Sequence, residues 1–373
     1  MKRKKVIISG YYGFDNIGDE AILESIIDNI RDNKKDVDIV VLSSNPEKTA
    51  SELNVRAINR LNILDITKEI FSADLFISGG GGLMQDSTGP SSVIYYGSLL
   101  KIAQSFKVAT MVYAQGIGPI SKSYNKKLTA NFFNKVSAIT VRDEFSKKDL
   151  ISYGVKEAKI GITADPVLLM KYENIDRIKE IIINTGLNPD LPIIGISIRP
   201  WKAWYERQLK AFTSVIRQVA SKYNMQILLI PFQLSSDLWL CKEAEICFNT
   251  SPNSDVNIQT LSFKITPKEM LGLVSHMKLI IGMRLHSLIM AGVGHVPSLG
   301  ISYDPKVKNF CELAGFPYIK SVEDLQNAEN ILVNIENILS NYTFNKKTLD
   351  FNIPNLQKLS QENVKTALYF LNN

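Results

Sequence analysis

Residues 6–9 read Val-Ile-Ile-Ser, and the turn Gly-Tyr-Tyr-Gly-Phe-Asp-Asn-Ile-Gly-Asp-Glu follows at 10–20, leading into an amphipathic stretch that ends at Asn33. A short β-branched run, a glycine-rich turn and a helical pattern together indicate the first β–α step of a parallel sheet. The alternation returns along the chain, with further strands predicted at 39–42, 75–78, 109–113 and 138–141. The sequence therefore predicts an α/β fold.

A second series of strands is predicted at 193–198, 226–230, 278–281 and 297–299. Between the two series, residues 185–192 read Thr-Gly-Leu-Asn-Pro-Asp-Leu-Pro, which is typical of a linker. We therefore predict two doubly wound Rossmann-like domains facing a cleft, at residues 1–185 and 190–345. Residues 350–373 are predicted to hold a helix that crosses back to the first domain.

Composition narrows the class of protein. Of 373 residues, 45% are hydrophobic and 21% are charged, which excludes a disordered chain. The net charge of +6 is mild, so it favours anionic substrates and does not indicate a nucleic-acid binder. Three cysteines without a Cys-x-x-Cys motif, and no apolar signal core behind the basic start, predict a cytoplasmic protein. The basic run Lys2–Lys5 either solubilises the terminus or contacts an anionic membrane surface, and the sequence leaves both open.

The first candidate loop follows the first strand, because ligands of open α/β sheets bind beyond the carboxyl ends of the strands. Asp15 and Asn16 lie mid-loop between glycines and are predicted to face the cleft. Asp19 stands where an ATP-binding P-loop needs lysine, so that kind of site is excluded. We interpret Asp19 itself as a carboxylate that favours the start of a helix.

Two further loops of the first domain are rich in glycine and in neutral or acidic hydrogen-bonding groups. Residues 78–87 contain four consecutive glycines, whose backbone N–H groups can approach a ligand closely. Residues 113–119 form the third loop. This chemistry suits sugar hydroxyls, and the predicted acceptor-binding residues in these two loops are Gly80, Gly81, Gln85, Asp86 and Gln115.

Cations follow strands in both domains. Arg142 closes a strand beside a helix start, where it either binds an anion or pairs with Asp143 or Glu144. Arg284 and His286 follow the strand at 278–281, and Lys306 follows the strand at 297–299. We favour a functional His286 over a core histidine, because an imidazole beside an anion site can act as a general acid near neutral pH.

Taken together, these motifs resemble those of the polysaccharide pyruvyl transferase family, of the bacterial CsaB type. The resembling pieces are Gly13–Glu20, Gly79–Leu83, Gln115–Pro119, Val141–Asp143, Ala164–Pro166 and Gly282–Ser287, in the family's order. The family is similar in fold to two-domain GT-B glycosyltransferases. Its members move the enolpyruvyl group of phosphoenolpyruvate onto a sugar as a 4,6-ketal. The CsaB type implies an N-acetylmannosamine acceptor in a lipid-linked cell wall polymer that anchors S-layer proteins.

For such a donor, residue chemistry predicts a binding site of Arg142, Arg284 and Lys306, with His286 as general acid. Asp15 or Asp86 could serve as the base, and we favour Asp15. No cofactor and no metal are expected. Two alternatives stay open: a nucleotide-sugar glycosyltransferase on the same architecture, which fold alone cannot separate, and a non-catalytic sugar-binding protein. A binding module would have no need of a proton donor beside two arginines.

Overall fold

The computed structural model describes residues 3–86, 91–172, 174–202, 204–250 and 256–373. These residues form two compact units. Unit 1 comprises Met1–Leu169 and Leu356–Asn373, and unit 2 comprises Met170–Asn355.

Unit 1 is built on one parallel sheet with helices between the strands. The strands are β1 (Lys4–Ser9), β2 (Val37–Ser43), β3 (Arg56–Asn59), β4 (Leu75–Ser78), β5 (Ala109–Gln115), β6 (Ala138–Val141) and β7 (Ile160–Ile162). The helices are α1 (Ile17–Asn33), α2 (Pro46–Leu53), α3 (Ile63–Phe71), α4 (Ser91–Ser105), α5 (Ser123–Phe133) and α6 (Glu144–Tyr153). The strand order is β3-β2-β1-β4-β5-β6-β7, which is doubly wound about β1 and β4.

Unit 2 repeats this plan. Its strands are β8 (Ile193–Ser197), β9 (Gln226–Leu229), β10 (Ile258–Thr260), β11 (Leu279–Gly282), β12 (Ser298–Ile301) and β13 (Tyr318–Ile319). Its helices are α7 (Ile175–Asn184), α8 (Glu206–Lys222), α9 (Leu234–Asn249), α10 (Pro267–His276), α11 (Leu285–Val293), α12 (Pro305–Ala314) and α13 (Ala328–Ser340). The order β10-β9-β8-β11-β12-β13 is again doubly wound. The predicted α/β class with two such domains is confirmed.

The division between the units falls earlier in the chain than the predicted linker. Residues 185–192 lie inside unit 2, where the main chain of Asn188 exchanges two hydrogen bonds with the side-chain amide of Gln226. Residues 175–184 fall within the predicted first domain, but they form helix α7 of unit 2. It packs on α10, where Ile178 lies against Gly272 and Arg177 donates to Glu269 at 2.7 Å. These contacts make α7 and residues 185–192 part of unit 2.

The last helix, α14 (Tyr342–Asn372), begins in unit 2 and ends in unit 1. In unit 1 its fully buried Asn363 accepts from the Thr163 hydroxyl at 2.8 Å and donates to the Ala164 carbonyl at 3.0 Å. Ser360 donates to the Asp165 carbonyl at 3.0 Å. The helix therefore satisfies the buried backbone that follows β7.

None of the helices in the described part of the chain combines the length and apolar character needed to cross a membrane. The basic N-terminal run is largely neutralised. Arg3 pairs with Asp36 at 3.1 Å, Lys4 with Asp74 at 3.4 Å and Lys5 with Glu69 at 2.9 Å, while Lys2 lies outside the described residues. These pairs lower the attraction of the run for an anionic surface.

Replacing Asn363 by alanine should lower the free energy of unfolding by about 2–4 kcal/mol, because buried polar groups lose their partners. The control is Asn355→Ala on the same helix, whose exposed amide donates only to Phe351 of the preceding turn among the described residues. Urea titration of the full chain measures both variants. Equal stability losses would contradict the role given to Asn363.

Candidate active site

The three predicted loops of unit 1 meet at the carboxyl edge of its sheet. The Gly116 N–H donates to the Gly81 carbonyl at 2.9 Å, and the Gly118 N–H donates to the Met84 carbonyl at 2.9 Å. Gly81 lies against Asp19 of the β1 loop, since a Cβ on this residue would come 3.0 Å from the Asp19 Oδ1 atom. Gly81 also has a φ of +87°, a region that favours glycine. Gly80 lies beside Ile22 of α1.

Asp15 and Asn16 directly precede α1 and make different contacts. Asn16 is the N-cap residue, and its side-chain oxygen accepts from the Gly18 N–H at 3.1 Å. Asp15 has a φ of +57° and forms an ion pair with Lys48. Burial lowers the pKa of Lys48, but the hydrogen bond to Asp15 and the charges of Glu52, Asp15 and Glu20 together outweigh it, so that this pKa lies above its ordinary value. The predicted base therefore has a cation as a direct neighbour.

Gln115 is fully buried and braces the glycine loop. Its amide nitrogen donates to the Ser78 hydroxyl at 2.8 Å and to the Gly79 carbonyl at 3.0 Å. Within the described residues, its side-chain oxygen is buried without a hydrogen-bond partner. Gln85 is half-buried in the same loop. Gln115 thus shapes the loop predicted to hold the acceptor.

Asp86 holds the end of the glycine loop to α5. Its carboxylate accepts from the N–H and hydroxyl of Ser121 at 2.8 and 3.0 Å, from the Lys122 N–H at 3.0 Å and from the Asn125 amide at 3.1 Å. Burial opposes ionisation, but these bonds outweigh it and lower the pKa of Asp86 to about 2. The interactions engage both oxygens that were predicted to meet acceptor hydroxyls. The neighbouring Ser87 lies outside the described residues.

Glu20 is a titratable group of the β1 loop that the sequence did not single out. Its Oε1 atom accepts from the Gly13 N–H at 2.8 Å. Burial raises the pKa of Glu20 from its ordinary value of 4.5 to about 7, although the N–H of Gly13 acts in the opposite direction and Asp19 adds to the rise. A carboxyl that titrates near neutral pH is a candidate proton carrier. Its place in a Gly-Asp-Glu turn looks like an ordinary helix start, so the sequence gives little signal.

Glu20→Gln should remove a fall in stability between about pH 4.5 and 7. In this window the native carboxyl keeps its proton while the unfolded one has lost it, so rising pH favours unfolding by at most about 3 kcal/mol. Urea midpoints of the wild type and the variant at pH 5 and pH 7.5 measure the effect. A difference between the proteins that does not change with pH would contradict it.

Arg142 is buried in unit 1 and carries two acidic neighbours. Its guanidinium lies 3.3 Å from the Asp165 carboxylate and 3.7 Å from that of Asp143. Gly116 leaves room for it, because a Cβ at this position would overlap the guanidinium. Asp143 also caps α6 by accepting from the Ser146 N–H at 2.7 Å. The predicted local pairing is present, and Asp165 adds a second partner.

Arg284 lies at the carboxyl edge of the unit 2 sheet, directly after β11. Its Nε atom donates to Asp237 at 2.9 Å, and a second guanidinium nitrogen donates to the other oxygen of this fully buried carboxylate. The pair is a two-point fork. Asp237 belongs to α9, so the pair joins the loops after β9 and β11.

His286 and Lys306 lie at the same edge of unit 2. His286 is half-buried in the first turn of α11, two residues after Arg284. Lys306 is in the first turn of α12, and its ammonium lies 3.3 Å from Asp304, the N-cap of that helix. Among the described residues, no group of three or more His, Cys, Asp or Glu side chains is arranged to hold a metal ion.

Arg199 is a further cation at this edge and was not among the predicted site residues. It lies two residues after β8 and donates to the Tyr303 hydroxyl at 3.1 Å, with its guanidinium 5.0 Å from the centre of that ring. Trp201 lies edge-on to the same ring at 4.9 Å. The rule that selected Arg284 and Lys306, a residue just beyond a parallel strand, would have selected Arg199 as well.

Comparison with known proteins places this chain in a family. The family model described as polysaccharide pyruvyl transferase matches residues 16–305. The chain belongs to the polysaccharide pyruvyl transferase family. It is a transferase, and the predicted family resemblance is confirmed at this level. A curated relative, the amylovoran biosynthesis protein AmsJ of Erwinia amylovora, is 21% identical, over 91% of this chain and 92% of its own length.

Solved structures show the fold. The chain is similar to HepE of Anabaena in complex with UDP-glucose, with 12% identity, a TM-score of 0.63 and 98% and 99% of the two chains covered. It is also similar to the UDP-GlcNAc 2-epimerase of Neisseria meningitidis bound to UDP-GlcNAc, with 15% identity, a TM-score of 0.65 and 98% and 100% covered. At these identities the likeness concerns the GT-B-like architecture alone.

Proposed function

We propose that this pyruvyl transferase moves the enolpyruvyl group of phosphoenolpyruvate onto an N-acetylmannosamine residue of a lipid-linked cell wall polysaccharide precursor, as in the CsaB type, to anchor S-layer proteins. The observation that carries the proposal is the set Arg284, His286 and Lys306 beyond neighbouring strands of unit 2, in a chain of this family. Two cations and an imidazole suit a substrate that carries a phosphate and a carboxylate and must accept a proton.

In the reaction, His286 gives a proton to C3 of the donor, which becomes the methyl group, and C2 becomes an oxocarbenium-like centre. One sugar hydroxyl attacks C2 and loses its proton. The phosphate leaves with the C2–O bond pair and takes up a proton, and the second hydroxyl closes the ketal as it loses its own. Two protons are taken up and two are released. Arg142, Arg284 and Lys306 stabilise the anionic groups of the donor.

The acceptor belongs to the loops of unit 1, which offer hydroxyl-binding groups and backbone N–H donors. We assign it to Asn16, Gly80, Gly81, Gln85, Asp86 and Gln115. For Asn16, Asp86 and Gln115 the side chains also fix the loops themselves, so their part is to hold the shape of the site. Asp15 is the base that takes a hydroxyl proton, because its half-exposed side chain belongs to the glycine-flanked loop after β1.

We place the reaction in the cytoplasm, at the inner face of the membrane where a lipid-linked acceptor would be assembled. Cys241, Cys247 and Cys311 are all free thiols, which fits a reducing compartment. Because the described N-terminal cations are paired, contact with the membrane would come through the acceptor's lipid more than through this basic run.

The direct test mixes the full chain with phosphoenolpyruvate and a lipid-linked N-acetylmannosamine acceptor. Phosphate release and a mass gain of one pyruvyl ketal on the acceptor are expected. A parallel reaction replaces the donor with UDP-glucose or UDP-N-acetylglucosamine. Sugar transfer from either nucleotide, with no phosphate released from phosphoenolpyruvate, would favour the glycosyltransferase alternative and overturn the proposal.

His286→Ala should fold normally and lose ~10²–10⁴-fold in transfer rate, because the C3 proton donor is gone. The control is His295→Ala at the other end of α11, where the imidazole contacts Asp350 at 2.6 Å. This variant should keep wild-type turnover. Initial rates of phosphate release compare the two, and a fully active His286→Ala would remove His286 from the mechanism.

Asp15→Asn should slow transfer while phosphoenolpyruvate binding stays unchanged, because the donor cations are untouched. Glu20→Gln is the comparison, since Glu20, in the first turn of α1, has a pKa raised to about 7 and could also accept a proton. Titration of the donor and single-turnover rates measure both variants. A normal rate in Asp15→Asn with a slowed Glu20→Gln would move the role of base to Glu20.

A further inference from the structure

Three neighbouring strands of unit 2 each present a functional side chain two residues beyond their last residue. Strand β8 ends at Ser197 and leads to Arg199, β11 ends at Gly282 and leads to Arg284, and β12 ends at Ile301 and leads to Tyr303. Ser197 pairs in register with Gly282, and Gly282 with Gly300 of β12. Adjacent strands lie about 4.8 Å apart, so these side chains project from one short stretch of the sheet edge.

The three cations at this edge of the sheet differ in whether a carboxylate lies close enough to neutralise them. Arg284 is matched by the buried carboxylate of Asp237, and the Lys306 ammonium lies 3.3 Å from Asp304. Arg199 has no carboxylate within ion-pair distance among the described residues. Of these three cations, Arg199 therefore carries the positive charge that the described side chains leave uncompensated.

The guanidinium of Arg199 is held firmly without being neutralised. Tyr303 accepts its hydrogen bond at 3.1 Å and presents its ring face to the cation at 5.0 Å, and the Trp204 indole donates to the Arg199 carbonyl at 3.0 Å. Its Nε atom is buried and has no hydrogen-bond partner among the described residues, while the residue as a whole is half-buried. Leaving this N–H group without a partner carries a cost that an anionic ligand would offset.

We infer that Arg199 binds the phosphate group of the donor, with Tyr303 as the residue that positions its guanidinium. The identity of the donor rests on the proposed function. Phosphate is the group of the donor with the larger negative charge, and a planar guanidinium can bind two of its oxygens at once. Arg284, already forked to Asp237, has fewer donors left for this task.

The test titrates phosphoenolpyruvate and, separately, inorganic phosphate into the full chain by calorimetry, with the intrinsic tryptophan fluorescence, to which nearby Trp201 contributes, as a second readout. Arg199→Ala should weaken both ligands ~10–100-fold, as expected for a lost charge-assisted contact. Arg199→Lys should recover part of the affinity, and Tyr303→Phe should weaken binding less than Arg199→Ala. The matched control is Arg207→Ala, an exposed arginine in the first turn of α8, which should bind as the wild type does.

The outcomes separate this inference from the proposed function. If the wild type binds both ligands and Arg199→Ala keeps their affinity, the inference is wrong and the proposed function stands. If phosphate binds through Arg199 but no pyruvyl transfer occurs, the inference stands and the proposed function fails. If the wild type binds neither ligand, both are overturned. Unchanged urea midpoints in the variants exclude a loss of folding as the cause.

Discussion

The buried ion pair between Arg284 and Asp237 is the constraint on which the unit 2 site depends. Asp237 is fully buried, and besides the arginine it accepts from the N–H groups of Phe232 and Gln233 at 3.2 and 3.1 Å. One carboxylate thus ties the β9 loop to the residue that precedes α11. Removing one partner of such a pair leaves a buried charge and typically costs about 3–5 kcal/mol. The pair therefore fixes the start of α11, and with it the position of His286.

Unit 1 uses the same device with different groups. Gln115 hydrogen-bonds to the start of the glycine loop, and Asp86 joins the end of this loop to the start of α5. Arg142 lies between Asp165 and Asp143 and contacts Gly116. Each of these side chains was predicted to bind a ligand. Each also makes a hydrogen bond or an ion pair within the fold. A polar residue beyond a strand can serve the loop and the ligand together, and only its partners in space show how its hydrogen bonds are divided.

The central strands were predictable because they are buried on both faces and read as continuous apolar runs, such as Val6–Ser9 and Gln226–Ile230. The outer strands β3, β7, β10 and β13 were missed. They are two to four residues long, and Arg56–Asn59 has a polar residue at each end, as a loop often does. The domain boundary was misplaced for a related reason: a Gly-Pro-rich segment marks a turn, but only the packing of α7 on α10 shows which unit holds it. Local composition cannot carry that information.

The loops that form the site could be predicted from the sequence. Which of its charged side chains are free of a neutralising partner could be predicted less well. Sequence places Arg142 and Arg284 beyond strands, yet their acidic partners Asp165 and Asp237 are 23 and 47 residues away in the chain. A cation's strength as a ligand depends on this compensation, which spacing alone does not reveal. Arg199 illustrates the converse: its place two residues beyond β8 satisfies the strand-end rule, but its aromatic neighbours and lack of a described carboxylate partner are evident only in the fold. The electrostatics of a family site are therefore decided as much by where the acids lie as by where the conspicuous bases lie.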